Sequence, residues 1–279
     1  MIDIHSHIWE PHHWEERTKQ EIETCYPGAG HWNCPPEKHW EQVAQKVDRA
    51  AVFAMEMNAA GLVVPNEYIH AYVSRHPDKL VGVASVDPND PDCIEKLQHA
   101  IDALGMRALK LSGAYQNFNP ADTRHDPLYR KAQQLEIPVF WHQSTTAFAV
   151  TPLRWSVPIL LDEVAQRFPN LVQMICHIGH PWHDDAVMVV RKHRNVYADM
   201  SGHAHRRLHF YQALATAIEY DIGHKIIFGS DYPFCGVEAS VQGMHDAASM
   251  ARRAGLPPIP EAFIEEMLQR DSLTLLGMT

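Results

Sequence analysis

The chain opens on Met1-Ile2-Asp3-Ile4-His5-Ser6-His7-Ile8-Trp9, where two histidines stand at alternate positions. The stretch Ile2 to Ile8 reads as a strand, so His5 and His7 project to one face and Ser6 to the other. Two neutral imidazoles on a stiff element form a clamp suited to a borderline cation such as Zn²⁺, and the clamp needs further ligands. Twenty of the 279 residues are histidine, which favours a metal site but leaves most of these residues other work. The further candidates sit where apolar runs stop. Lys110 ends Leu109-Lys110-Leu111-Ser112, His142 follows Val139-Phe140-Trp141, and His177 follows Met174-Ile175-Cys176 and leads to His180. Asp231 follows Ile226-Ile227-Phe228-Gly229-Ser230.

The elements that position these residues follow from periodicity. Strands are predicted at 2–8, 50–55, 80–86, 107–111, 137–141, 171–176, 196–200 and 225–228. Helices lie between nearly all of them, at about 37–47, 66–75, 90–104, 126–135, 157–168, 184–193 and 208–220, with two more at 237–254 and 260–275. Strands apolar throughout, each followed by a helix, point to a parallel sheet covered by helices, and eight such units favour an α/β fold of the (β/α)₈ TIM-barrel type over an open doubly wound sheet. In that barrel the strands' C-terminal ends build the active site, which is where the candidates above fall. We expect one domain over 1–279 with an elaborated loop at about 8–36. Trp9, His12, His13, Trp14, Trp32 and Cys34 of that loop are positioned either to line a pocket or to pack the loop onto the barrel.

The totals exclude several classes. A net charge of -10 argues against a surface that tracks nucleic-acid phosphates. No apolar run is long enough to span a membrane and no signal segment precedes the first strand, so the reading is a cytoplasmic protein without nucleic-acid or membrane partners. The five cysteines are odd in number and scattered, without a Cys-x-x-Cys pair, so neither a disulfide framework nor a thiolate zinc site is expected.

His-x-His on the first strand, His142 on the fifth, His177 on the sixth and Gly229-Ser230-Asp231-Tyr232-Pro233 on the eighth resemble the amidohydrolase superfamily, in its amidohydrolase-related (amidohydrolase 2) branch. The stretches His177 to Trp182 and Asn195 to Gly202 are similar to that branch as well. The resemblance implies that His5, His7 and His142 bind one divalent metal, that Asp231 is a fourth ligand or a proton acceptor beside it, and that His177 sits over the substrate, where it polarises the carbonyl under attack or donates to the developing oxyanion. Zn²⁺ is the preferred ion and Mn²⁺ is accommodated; a second metal stays open, because a strand-four lysine bridges two metals as a carbamate in binuclear relatives, and Lys110 stands at that position. Lys110 is otherwise a partner for a substrate carboxylate or for Asp231. Trp9, Tyr115, Gln143, Arg154 and His180 complete the candidate substrate contacts, Arg206 and Arg207 are further candidates for meeting an anion, and the second His-x-His, His203 to His205, reads as a loop entering a helix.

The activity implied is hydrolysis of an ester, lactone or amide in a small organic, carboxylated molecule by metal-activated water. Two alternatives stand beside it: non-oxidative decarboxylation on the same scaffold, and a non-catalytic metal-binding barrel, against which the His- and Trp-bearing loop beside strand one argues. Homo-oligomerisation is common among such barrels, but no residue pattern here marks an interface.

Overall fold

The structure, a computed structural model, describes residues 1–25, 31–146 and 148–279. Among the described residues eight strands form one parallel sheet: β1 (Ile2–His7), β2 (Arg49–Phe53), β3 (Leu80–Ser85), β4 (Leu109–Leu111), β5 (Val139–Trp141), β6 (Gln173–Ile175), β7 (Val196–Asp199) and β8 (Ile226–Ile227). Neighbours in the sheet are neighbours in the chain, as right-handed strand-helix-strand units require. The ends of the sheet meet. Ile4 N–H donates to the Phe228 carbonyl at 3.2 Å, Asp231 N–H to the His5 carbonyl at 2.8 Å and His7 N–H to the Tyr232 carbonyl at 2.9 Å, closing a (β/α)₈ barrel. A buried carboxylate reinforces this seam: Asp3 accepts from Ser230 N–H at 2.9 Å, from the Ser230 hydroxyl at 2.6 Å and from His5 N–H at 3.1 Å.

Alternation along the strands sorts side chains into two cores. Ala51, Phe53, Val81, Val83, Phe140 and Met174 fill the barrel interior, whereas Ala50, Val52, Leu80, Val139 and Ile175 face the helices. The short helix Ser272–Leu276 inserts Leu273 and Leu276 into the interior cluster. In β1 the register against β2 shifts between Asp3 and Ser6. Ile4 therefore belongs to the interior cluster, and the next residue, His5, also faces inward, its ring 4.6 Å from that of Phe53. Strict alternation forbids two consecutive inward residues; the register shift permits them.

Three expectations change. The segment at 8–36 is not loop throughout: Glu16–Cys25 is a helix, and 26–30 lie outside the described residues. Its ten residues, ERTKQEIETC, are mostly good helix formers, but among its described side chains Thr18 and Ile22 are the buried ones, too few for a broad apolar stripe legible from periodicity. The apolar run at 50–55 ends earlier, at Phe53, and Met55–Met57 begins a separate antiparallel hairpin with Leu62–Val64. The helix expected at 260–275 is two, Glu261–Gln269 and Ser272–Leu276, because Arg270 is extended and the Asp271 carboxylate caps the second by accepting from Thr274 N–H at 3.2 Å. No described helix is long and apolar enough to cross a membrane.

Candidate active site

A cavity of about 470 Å³ opens at the C-terminal ends of the strands. Strand ends supply its polar floor, with His7 from β1, Lys110 from β4, His142 after β5, His177 after β6, Gly202 after β7 and Asp231 after β8. Its walls are apolar and aromatic: Trp9, Trp14 and Ile22 come from the segment between β1 and β2, Met55 and Leu62 from the hairpin, and Phe148 and Phe234 from later loops.

The ligand atoms of His5, His7 and Asp231 lie within 4.8 Å of one another. One Asp231 carboxylate oxygen is 3.6 Å from His5 Nε2 and 3.5 Å from His7 Nε2, and the other is 3.9 Å from His177 Nδ1. Hydrogen bonds decide which ring nitrogens are free. His5 Nδ1–H donates to the buried Asp199 carboxylate at 2.9 Å, which leaves the Nε2 lone pair aimed at Asp231. His142 Nε2–H donates to the Thr145 carbonyl at 3.3 Å, leaving Nδ1 free. His7 Nδ1 is buried without a hydrogen-bond partner. Burial holds His5 and His7 well below the ordinary imidazole range and His142 at about 3, so all three are neutral at pH 7. The neutral imidazoles of His5 and His7, the latter with an orphaned ring nitrogen, and the Asp231 carboxyl group make a donor set that fits a borderline divalent ion.

His142 does not join the His5, His7 and Asp231 group. Its ring lies 4.4 Å from Tyr115 in a stacked arrangement, and its Nδ1 meets His177 Nε2 at 3.2 Å. His177 Nδ1 faces two Ser201 oxygens, the hydroxyl at 2.8 Å and the carbonyl at 3.3 Å. Because the Ser201 hydroxyl donates to Asp199, His177 carries its proton on Nδ1. Neutral His177 therefore presents an acceptor at Nε2 and donates there only with a second proton, which refines the oxyanion-donor role expected of it. Burial pushes its basicity well down. Asp231 is pushed the other way, to about 8, by burial.

Backbone geometry concentrates at the same residues. His177 (φ 57°), Ile178 (φ 40°) and Asp231 (φ 65°) are left-handed, a conformation that costs about 1–3 kcal/mol each and persists where surrounding structure over-determines it. Gly202 (φ 75°) is the close approach: a Cβ there would sit 3.0 Å from an Asp231 carboxylate oxygen and 3.1 Å from His177 Nδ1.

Other expected residues divide. Lys110 is fully buried, its ammonium donating to Cys176 Sγ at 3.0 Å, 3.5 Å from His5 Nε2 and over the Phe53 ring at 4.6 Å. Trp9, Tyr115 and His180 line the cavity. Gln143 does not; its amide donates to the Trp155 and Val157 carbonyls at 2.7 and 3.0 Å, work that the loop backbone demands. Arg154 is exposed and does not line the cavity, its guanidinium instead lying over the Trp155 ring at 4.8 Å. Within the first segment Trp14 reaches the cavity, whereas Trp32 packs edge-on against Trp14 at 5.2 Å, the His13 ring accepts from Glu10 N–H and Cys34 pairs by backbone with Trp9. The second His-x-His diverges, with His205 lining the cavity and His203 pointing to His183. Arg206 also lines the cavity, and Arg207 faces Asp246 instead.

Sequence reasoning missed Asp199 and Ser201. Asp199 is fully buried and accepts from His5, from His177 N–H at 2.9 Å and from Ser201 N–H at 3.1 Å. Its signal was available: Asp199 is a polar residue ending an apolar strand, in the stretch Asn195 to Gly202.

The amidohydrolase family model matches residues 2–276. This chain belongs to the amidohydrolase family. No curated protein matches by sequence. Among solved structures, 5-carboxyvanillate decarboxylase from Sphingomonas paucimobilis is similar at TM-score 0.69 and 14% identity, with 100% of this chain and 99% of that one covered. A probable 2-pyrone-4,6-dicarboxylic acid hydrolase from Acinetobacter baumannii, with citric acid bound, aligns at TM-score 0.65 and 16% identity over 96% of this chain and 99% of that one. A dihydroxybenzoic acid decarboxylase from a Polaromonas species, with manganese and 2-nitroresorcinol bound, aligns at TM-score 0.67 and 15% identity over 99% and 96%. At these identities the likeness is one of fold. The protein is thus an enzyme of the amidohydrolase family on a (β/α)₈ barrel.

Proposed function

We propose that this amidohydrolase-family enzyme hydrolyses an ester, lactone or amide bond in a small cyclic carboxylated substrate, with one divalent metal, Zn²⁺ or Mn²⁺, held by His5, His7 and Asp231. The observation that carries the reading is the position of Asp231, whose two oxygens face His5 and His7 on one side and His177 on the other. When bound, the ion supplies the Lewis acidity that makes water a nucleophile near neutral pH. Asp231, which burial raises to about 8 and which a bound cation would ionise, takes the proton of the attacking water and returns it to the leaving group. His177, fixed by Ser201 and beside His142, presents its Nε2 lone pair as an acceptor that orients a hydroxyl or water at the reacting carbonyl. Lys110 and Arg206, the cations of the cavity lining, meet the substrate carboxylate, and the aromatic walls exclude bulk water from the ring.

A second reading, non-oxidative decarboxylation, is favoured by those same walls: the described lining contains one guanidinium, Arg206, among Trp9, Trp14, Tyr115, Phe148 and Phe234, which suits one aromatic ring with one carboxylate. Asp231, held protonated by burial, would then protonate the ring carbon. The decarboxylases of carboxyvanillate and dihydroxybenzoate and the probable pyrone dicarboxylate hydrolase act on acidic rings, which supports that substrate class for either reading.

The test is turnover of Zn²⁺- or Mn²⁺-loaded protein on lactones, esters and hydroxylated aromatic acids in ¹⁸O-water. Solvent oxygen entering the acid product identifies hydrolysis; CO₂ release without it identifies decarboxylation. Asp231→Asn is expected to lower either rate by about 10²-fold or more. Full turnover in that variant would remove Asp231 from the chemistry.

A further inference from the structure

Outside the active-site cluster a second group of imidazoles converges. The ligand atoms of His180, His183 and His203 lie within 4.8 Å of one another. His180 follows β6, His183 begins the helix His183–Lys192 and His203 follows β7. His209, on the helix Arg207–Glu219, packs edge-on against His180 with ring centroids 4.9 Å apart and lies 6.0 Å from the His183 ring. Nothing in the proposed reaction uses His183, His203 or His209.

Their hydrogen bonds leave lone pairs pointing inward. His203 Nδ1–H donates to the Ser201 carbonyl at 2.7 Å, so its Nε2 is free, and that nitrogen stands 3.2 Å from His183 Nε2. Two imidazole nitrogens on one tetrahedral Zn²⁺, with bonds of 2.0–2.1 Å, are separated by roughly 3.3 Å. His180 Nδ1 is buried and has no hydrogen-bond partner. A buried imidazole nitrogen without a partner calls for an explanation, and an ion is one.

We propose that His180, His183 and His203 form a second transition-metal site, with His209 placed to close it. An all-imidazole set selects Zn²⁺, Co²⁺, Ni²⁺ or Cu²⁺ over Mg²⁺ and Ca²⁺, which demand oxygen ligands. Burial holds His180 and His183 at about 4 and His203 at about 3, so the ligands are already deprotonated at neutral pH. An entry path exists. His183 also lines a surface groove of about 1060 Å³ together with Asp184, Asp185 and Glu219, carboxylates that draw cations toward it. Such an ion ties the loop after β6 to the loop after β7, and both contribute to the active-site wall, through His180 and through Gly202 and His205.

Co²⁺ titration of the full-length protein, read by bound stoichiometry and by ligand-field absorption, tests the site. The comparison is made in the wild type and in a His5→Ala/His7→Ala background, each with and without His183→Asn or His203→Gln, with folding checked by circular dichroism. Both substitutions are expected to remove one equivalent of Co²⁺ in both backgrounds, and to abolish the Co²⁺-induced rise in melting temperature of the His5→Ala/His7→Ala protein. Unchanged stoichiometry in folded His183→Asn, whose side chain reaches the groove, overturns the proposal even where His203→Gln does not fold. Failure of the active-site metal is distinct, because His5→Ala/His7→Ala would then bind as much Co²⁺ as the wild type.

Discussion

Asp199 is the residue on which the orientation of the active site turns. It receives His5 Nδ1–H, His177 N–H and Ser201, so one carboxylate sets the tautomer of His5 and the turn that presents His177. Partners of this kind are worth about 10–100-fold in metal affinity. Asp199→Ala is expected to lower active-site metal affinity by that factor, measured by competition with a chelator; unchanged affinity would mean that His5 is held by β1 alone. Gly202 is limited by space. In Gly202→Ala the new methyl meets Asp231 and His177 at about 3 Å and takes a left-handed backbone that costs about 1–2 kcal/mol. Turnover should drop by at least 10-fold, roughly 1.4 kcal/mol of barrier, with less effect on metal content, and both are read from one preparation. The identities of His5, His7, His177 and Asp231 were legible because each ends or begins an apolar run. Asp199 was equally placed, but its role as acceptor for four donors on three residues depends on His5, which lies 194 residues away in the chain.

At the scale of elements, the short C-terminal helix Ser272–Leu276 has two anchors, the Asp271 cap and Leu273 in the barrel interior. Leu273→Ala should cost about 2–5 kcal/mol of stability in urea unfolding and leave metal stoichiometry intact, since the helix lies in the interior cluster and contributes nothing to the cavity lining; a loss of metal would place it in the site. The helix Glu16–Cys25 shows why part of the first segment was illegible. Its Ile22 lines the cavity and its Thr18 hydroxyl donates to the Ala60 carbonyl at 2.7 Å, contacts made to the hairpin and cavity rather than along its own sequence. Tertiary packing, not periodicity, makes it a helix. The register shift in β1 is similar: nothing local in Asp3-Ile4-His5-Ser6 announces it, and it appears only against β2.

Across the whole molecule, buried neutral histidines set the response to acid. His39, which does not line the cavity, sits fully buried between Ser6 and Tyr72: the Ser6 hydroxyl donates to the Ala51 carbonyl and accepts from His39 Nε2–H at 2.8 Å, while His39 Nδ1 accepts from the Tyr72 hydroxyl at 3.0 Å. Burial lowers its pKa to about 3. Between the unfolded value near 6.5 and that folded value, the unfolded chain binds the additional proton. Stability is therefore complete above about pH 6.5 and falls with pH at about 1.4 kcal/mol per unit, roughly 3 kcal/mol by pH 4.5. Urea unfolding from pH 7.5 to 4.5 should show His39→Gln declining less steeply than the wild type by up to that amount; parallel declines would show that His39 titrates normally. Local pattern determined the barrel and the strand-end residues of its mouth, because the periods of helix and strand and the stops of apolar runs are written in neighbouring residues. Only the tertiary structure decided which histidine faces which. His142 meets His177 rather than the His5 and His7 pair, Gln143 and Arg154 turn away from the cavity, and His203 joins His180 and His183, because ring orientation follows from hydrogen-bond partners brought together across the sheet.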